Sequence, residues 1–459
     1  MRKLKNKLIK SWSSLFTKDS FIQNFAFVFG SKSITFLIGF ALTPIIARVF
    51  EPEAYGSYAL YHAIVLNVSL FLTMKIPTAF VIIRDEPEFK ELLGHLVGYL
   101  IVGILLVSIL LLLFGEFLFG DLSNQHLMNG WYLISLGIAL YAFADILSNW
   151  NVREKKFKEI SKYAPIEALT TKMSSFGIGW LKATSKLGLI QGELIGKFTY
   201  ILIYSKKFLR GRYDWLFPKF SLKQWKILFR KYKEYPLYIL PAQWISVLSN
   251  SIIIFFLSYE FFADDVGKYS MSIGLVSIPM NVIAYSLQPI LTQKIASVDD
   301  PDMSIELINK FVTSILIIIC LALPVGFFFS ETTINLFLGP GWEESAVFIS
   351  WMIPLIGFQI IYFPLIGALI GMRRNKTTLV ANLIRLLFIL LAILVLSLFQ
   401  ISFNQTISYI IAFLMASYFA GIVFSLHQAR IGVKTIMIVV VYGLVSFIYL
   451  CLVESFKFE

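Results

Sequence analysis

The chain has 459 residues, of which 58% are hydrophobic, 16% aromatic and only 15% charged. Soluble domains carry about a quarter charged residues and seldom grow one core past about 250–300 residues. The composition therefore excludes a soluble globular protein and points to a chain that crosses a bilayer many times. The formal net charge of +12 does not signal nucleic acid, because the basic residues sit in short loops between apolar runs, the pattern that sets membrane topology.

A helix needs about 20 residues to cross a hydrocarbon core about 30 Å thick. Thirteen runs qualify, with edges good to a few residues: 24–47, 58–82, 93–118, 127–149, 163–183, 187–204, 235–257, 268–290, 309–329, 345–371, 377–398, 406–425 and 433–453. The fifth and sixth are short and carry charge, and twelve spans is the alternative if that pair or the last run is read otherwise. With the N-terminus inside, thirty of the forty Lys and Arg fall in the first segment and the inner loops, five outside and five within spans. That asymmetry predicts a cytoplasmic N-terminus and a multi-pass protein of the cell inner membrane.

The expected fold is therefore an all-α polytopic membrane protein of 12–13 transmembrane helices in two six-helix bundles. Residues 1–23 form a basic N-terminal segment, with Leu4 to Phe16 able to lie along the inner surface as an amphipathic helix. The first apolar run is too long for a signal peptide and reads as an uncleaved helix. The first bundle covers 24–204, a basic cytoplasmic linker 205–234, the second bundle 235–425, and 433–453 is an extra transmembrane helix. The linker, with ten Lys or Arg, is expected against anionic lipid headgroups. Trp131, Trp150, Trp180 and Trp342 fall at span ends and are expected as interface anchors.

The halves echo each other. Gly56 and Tyr58 follow the first span; Gly267 and Tyr269 follow the seventh, both pairs 211 residues apart and both on the outer side. This suggests a parallel repeat, although Gly-x-Tyr at a turn also recurs by chance. Gly30, Gly39 and Pro44 interrupt the first span, and Pro236 and Pro241 the seventh. Such breakers mark moving elements in transporters, or merely the frequency of Gly and Pro in membrane helices.

Ionised groups at the bilayer centre cost at least about 2.5–3.5 kcal/mol, so they should face a cavity or a partner. Lys32, Lys75, Lys172, Lys197 and Arg385 lie in spans one, two, five, six and eleven, and Arg48 closes span one. The acids of the same regions are Asp145, Glu167 and Glu193, so cations exceed anions. A cationic cavity for an anionic ligand follows, with these six residues as candidate substrate-binding groups. Glu193 and Lys197 are i,i+4 and fit a structural pair. Glu167 and Lys172, five apart, are open to either role, as is Arg48, which could snorkel to the interface. Lys32 and Lys75 have no acid at helical spacing, so the cavity reading is preferred; for Arg385 a polar partner such as Gln359 or Asn382 is conceivable.

Other chemistry is not encoded. Gly192 to Phe198 lacks the spacing and hydroxyl of a phosphate-binding loop and lies in a span. His62, His95, His126 and His427 are scattered, and Cys320 and Cys451 give no metal or disulfide pattern. Asp299, Asp300 and Asp302 read as a solvated loop. No outer loop is large enough to build an enzyme site, and Asp264 or Asp265 is the only tempting catalytic acid there. No catalytic residue, cofactor or metal is expected.

Several strings carry a resemblance. Ile46–Gly56 (IARVFEPEAYG), Asn151–Phe157 (NVREKKF), Val266–Ser270 (VGKYS) with Ser277-Ile278-Pro279 and Gln288-Pro289, and Leu336–Ala346 (LFLGPGWEESA) stand in order along the chain. They resemble polysaccharide-export flippases of the Wzx type, which handle O-antigen and related glycans in the multidrug/oligosaccharidyl-lipid/polysaccharide exporter (MOP) superfamily. The resemblance implies two six-helix bundles in a V around a central cavity. It also implies alternating access that carries a polyprenyl-diphosphate-linked oligosaccharide from the inner to the outer leaflet, for cell-surface polysaccharide biosynthesis. A coupling ion, Na+ or H+, is left open. Expected partners are that lipid-linked substrate and membrane lipids, with a polysaccharide polymerase and glycosyltransferases as neighbours, no nucleic acid, and a monomeric state. The alternatives are a multidrug exporter of the same superfamily, whose cationic drugs would favour buried carboxylates, and a membrane-embedded glycosyltransferase or polymerase.

Overall fold

A computed structural model of the chain describes residues 21–119, 127, 130–154, 157–181, 186–208, 221–296, 298, 300–322, 324, 331–372, 374–399 and 401–457. The expected N-terminal amphipathic helix and Asp299 lie outside these residues. Among the described residues there is no strand, and every expected span coincides with a helix.

The first six helices are α1 (Phe21–Ala47), α2 (Pro52–Thr73), α3 (Glu86–Phe119), α4 (Trp131–Arg153), α5 (Phe157–Leu181) and α6 (Gly188–Phe208). A short helix, α7 (Leu222–Lys231), lies in the linker. The second set is α8 (Leu240–Glu260), α9 (Ala263–Ala296), α10 (Pro301–Ala322), the short α11 (Glu331–Leu338), α12 (Glu343–Gly371), α13 (Asn375–Leu396), α14 (Phe403–Gln428) and α15 (Val433–Lys457). Among the described residues, ten helices are long and apolar enough to cross a membrane. The long helices outside that set are α5, α6 and α9, which carry charge and pack closely on other helices.

Buried apolar side chains gather in two large clusters. One runs from Leu60 to Tyr232; the other runs from Ile253 to Val453 and adds Ala47. The two sets of helices meet where α2 packs on α9 and α8, and α1 on α9 and α11. One end of the bundle carries residues 48–53, 186–187, 261–262 and 339–342 and is poor in basic residues; the other carries α7 and is rich in them.

Local sequence sets the sites that matter. Proline at the first position suits the start of α2, where its missing N–H has no partner to lose. α2 ends because Met74 and Lys75 both adopt left-handed backbone, with φ of 48° and 53°. Lys75 was expected inside the second span; it sits instead at the reversal between α2 and a 3-10 turn, Ile76–Val81. Two successive non-glycine residues in that conformation cost about 1–3 kcal/mol each. Gly192 and Gly196, four apart on α6, let α5 approach: a Cβ would lie 2.7 Å from the Ser175 nitrogen and 3.1 Å from the Thr171 Cα, respectively. The string that fails as a phosphate loop is a small-x-x-x-small helix crossing. Trp150 and Trp342, expected as interface anchors, are 1% exposed and belong to the protein interior; Trp180, 74% exposed, does face outward.

The linker is held by α3. Gln224 donates to Glu91 at 2.5 Å, Lys231 pairs with Glu88, and Trp225 stacks on Tyr99 with centroids 5.2 Å apart. Tyr232 donates to Glu88 as well. Burial, and then the neighbouring carboxylate, push the Tyr232 hydroxyl well above its ordinary range, so it stays a donor.

Candidate functional site

The six candidate cations do not converge on one point. Three of them join the acids of the first six helices in a polar network at successive depths. Lys75 lies 3.3 Å from both Asp145 oxygens, and Asn149 donates to the same carboxylate at 3.0 Å. Lys197 pairs with Glu167 at 2.6 Å, with its ammonium 4.5 Å from the centroid of the Tyr141 ring. Glu193, 6% exposed, accepts from the Tyr141 hydroxyl and lies 3.8 Å from the His62 Nε2. Lys172 stands near enough to Glu193 to feel its charge.

The pairing differs from the one helical spacing suggested. Glu193 and Lys197 were expected to pair along α6. The close α5–α6 crossing brings Glu167 to Lys197, while Glu193 turns to α2 and α4. His62 and Tyr141 were not singled out in sequence, because their roles depend on three helices coming together. Three lysines against three carboxylates leave this network near neutral. Its contacts tie α2, α4, α5 and α6 together.

Arg48 is committed elsewhere. Its guanidinium donates to the carbonyl of Leu336, at the end of α11, at 2.6 Å. Gly339, at φ +99°, leaves room: a Cβ there would lie 3.0 Å from Arg48 Cγ. Beside it the Trp342 indole donates to the Ala47 carbonyl at 3.1 Å, and its ring meets Tyr55 edge-on at 5.1 Å. Lys268 binds Asp264 at 2.9 Å and Glu344 at 3.3 Å, and Lys186 binds Glu53 at 2.7 Å. At this end the two sets of helices thus meet through hydrogen bonds and packed rings, with ion pairs inside each set.

Arg385 lies inside the second set of helices and is 3% exposed. Its guanidinium carbon is 4.2 Å from the Tyr418 ring centroid and 5.2 Å from that of Tyr362. Asn382 and Gln359, the residues suggested by sequence, bind these tyrosines at 2.9 and 3.3 Å rather than the guanidinium. Among the described residues Arg385 has no acidic partner, and its Nε is unbonded.

Lys32 differs from all of these. It is exposed and makes no ion pair or hydrogen bond among the described residues. It shares a helix face with Thr43 and Ala47, which are 8% and 4% exposed. The face is covered at the charge-poor end and open at Lys32, about 16 Å further along α1. A separate crevice of about 550 Å³, lined by Phe358, Phe413, Phe419, Leu444 and Phe447 among others, holds no charged side chain.

A family model described as "Polysaccharide biosynthesis protein" matches residues 45–347. The chain belongs to that family. No curated protein matches the sequence. Among solved structures, the chain is similar to the lipid II flippase MurJ in an inward closed conformation, with a TM-score of 0.72 at 14% identity, over 92% of this chain and 96% of that one. It is also similar to an inward-facing multidrug resistance MATE family transporter of the MOP superfamily, with a TM-score of 0.63 at 12% identity, over 87% and 94%. At these identities the likeness establishes the fold, which is that of MOP flippases and transporters. The chain is thus a multi-pass membrane protein with a flippase or transporter architecture.

Proposed function

We propose that this protein carries a polyprenyl-diphosphate-linked oligosaccharide across the cytoplasmic membrane by alternating access, without covalent chemistry. The observation that carries the reading is the position of Lys32, a cation with no ion pair among the described residues, on the face of α1 that is sealed at one end and open further along. Membership of a polysaccharide biosynthesis family supports the glycan, and the excess of basic residues at the end bearing α7 supports placing that end in the cytoplasm. The conformation described is then closed outward.

The physical logic is direct. A diphosphate gains charge-assisted hydrogen bonds from an ammonium that no carboxylate already holds. Lys75 and Lys197 are paired with Asp145 and Glu167, so they shape the first six helices. Arg48 opens its contact with Leu336 when the outward end parts. The lipid tail stays in the bilayer while the headgroup moves along the face of α1. Release requires a site that binds both facing states without trapping either. Asp145 and Glu167 are each held by a lysine, which speaks against a site for cationic drugs built on them.

The test is Lys32→Ala in cells that display the glycan. Loss of surface glycan with lipid-linked intermediate retained in the inner leaflet, at normal protein level, supports the reading. Unchanged glycan output refutes it. Intermediate crossing normally but remaining unpolymerised would assign the protein to polymerisation instead.

A further inference from the structure

The linker helix α7 presents two faces of opposite chemistry. Gln224, Trp225, Leu228 and Lys231 turn to α3, where Glu88, Glu91 and Tyr99 hold them. On the opposite arc of the helical wheel lie Leu222, Lys226, Arg230, Lys223 and Ile227, in that angular order. All are exposed, Leu222 at 75% and Ile227 at 54%. Three cations are therefore flanked on both sides by aliphatic side chains, on a helix whose inner side is already satisfied.

We propose that this arc is a docking surface for the anionic phospholipid headgroups of the leaflet beside the charge-rich end. The occupant is fixed by complementarity. A lipid interface offers phosphate to the cations and acyl carbon to Leu222 and Ile227 at the same depth, whereas water alone would leave both aliphatics unburied. Capping agrees: Ser221 accepts from the Gln224 N–H at 3.5 Å, and Arg230 and Lys231 stand in the last turn, where cations favour a helix end.

A mechanical consequence follows. α7 is clamped to α3 by Gln224, Trp225 and Lys231, so lipid docking holds the first six helices to the membrane plane. Movement is left to the chain beyond Tyr232, where a π-helical turn, Tyr235–Ile239, leads into α8 between Pro236 and Pro241. This proposal needs the membrane plane at α7 but not the identity of the transported lipid, so it can fail while the flippase reading stands.

The experiment is native mass spectrometry of the full-length protein in detergent, titrated with phosphatidylglycerol or phosphatidylcholine. The variant is Lys223→Gln/Lys226→Gln/Arg230→Gln, and the control is Lys310→Gln/Lys434→Gln at exposed positions of the other set of helices. The wild type should bind phosphatidylglycerol in preference, and the triple variant should lose at least about five-fold in that affinity. The control should keep it, and the wild-type preference should fall as ammonium acetate is raised. A thermal midpoint equal to wild type in the triple variant shows that folding is intact. Equal phosphatidylglycerol affinity in variant and wild type overturns the proposal. So does binding of a soluble polyglutamate peptide with no lipid preference, which would assign the arc to an acidic protein partner. Should the triple variant misfold, Leu222→Ser/Ile227→Ser, which keeps the charges, must still weaken lipid retention.

Discussion

Gly56 and Gly267, 211 residues apart, lie on each other's backbones. A Cβ at Gly56 would overlap the carbonyl oxygen of Ala263 and sit 3.1 Å from the Gly267 nitrogen; a Cβ at Gly267 would overlap the carbonyl of Pro52 and sit 3.1 Å from the Gly56 nitrogen. The repeat suspected from sequence is therefore the reciprocal contact where α2 crosses α9 at the charge-poor end. Only residues without a Cβ allow this approach. Gly56→Ala should force the helices apart and raise the population open at that end. Spin labels at Glu51 and Glu331, both exposed and on opposite sets of helices, should report a longer distance in the variant. An unaltered distribution in Gly56→Ala and Gly267→Ala alike would show that the crossing does not hold the end shut.

The Lys75–Asp145 contact is half-buried, with side chains 15% and 24% exposed. Such a pair falls between surface bridges, worth about 0–1 kcal/mol, and buried ones, where losing one partner costs about 3–5 kcal/mol. Lys75→Ala should therefore cost about 1–3 kcal/mol by leaving Asp145 short of its cation. Asp145→Asn in the same background should recover part of that, because the neutral amide needs no counter-charge. The readout is thermal unfolding in detergent over the four corners of the double-mutant cycle. Additive losses would mean that the two side chains do not interact in the folded protein.

How much of this was legible beforehand can be judged at particular positions. The helices were legible because apolar length and charge asymmetry are local properties, and each of the thirteen runs became a helix. Lys75 was misplaced because a left-handed pair of non-glycine residues leaves no trace in hydropathy. Glu193 and Lys197 were paired along their own helix because i,i+4 spacing is visible in sequence, whereas the Gly192–Gly196 crossing that brings Glu167 across is a tertiary event. The Trp342 string was noticed, but not that its indole caps the end of α1. Lys75, Lys197 and Arg48 meet partners on other helices, and nothing in their own spacing shows it.

Arg385 tests what an unpaired buried cation does in the second set of helices. Its charge is met by two tyrosine rings rather than a carboxylate. A guanidinium can stack and hydrogen-bond in one plane; an ammonium cannot satisfy both rings in the same way. Arg385→Lys should therefore be destabilised, and Arg385→Met, which removes the charge while keeping the bulk, should be closer to wild type. Thermal midpoints in one detergent check the order. If Arg385→Met is the more damaged of the two while transport is lost in both, the charge itself is needed and the site reaches the substrate. If both variants keep their midpoints and transport, the tyrosine cage has neither a structural nor a substrate-binding role. The arrangement described favours the structural outcome, because the side chain is 3% exposed and its neighbours Asn382 and Gln359 are turned to the tyrosines and not to open space.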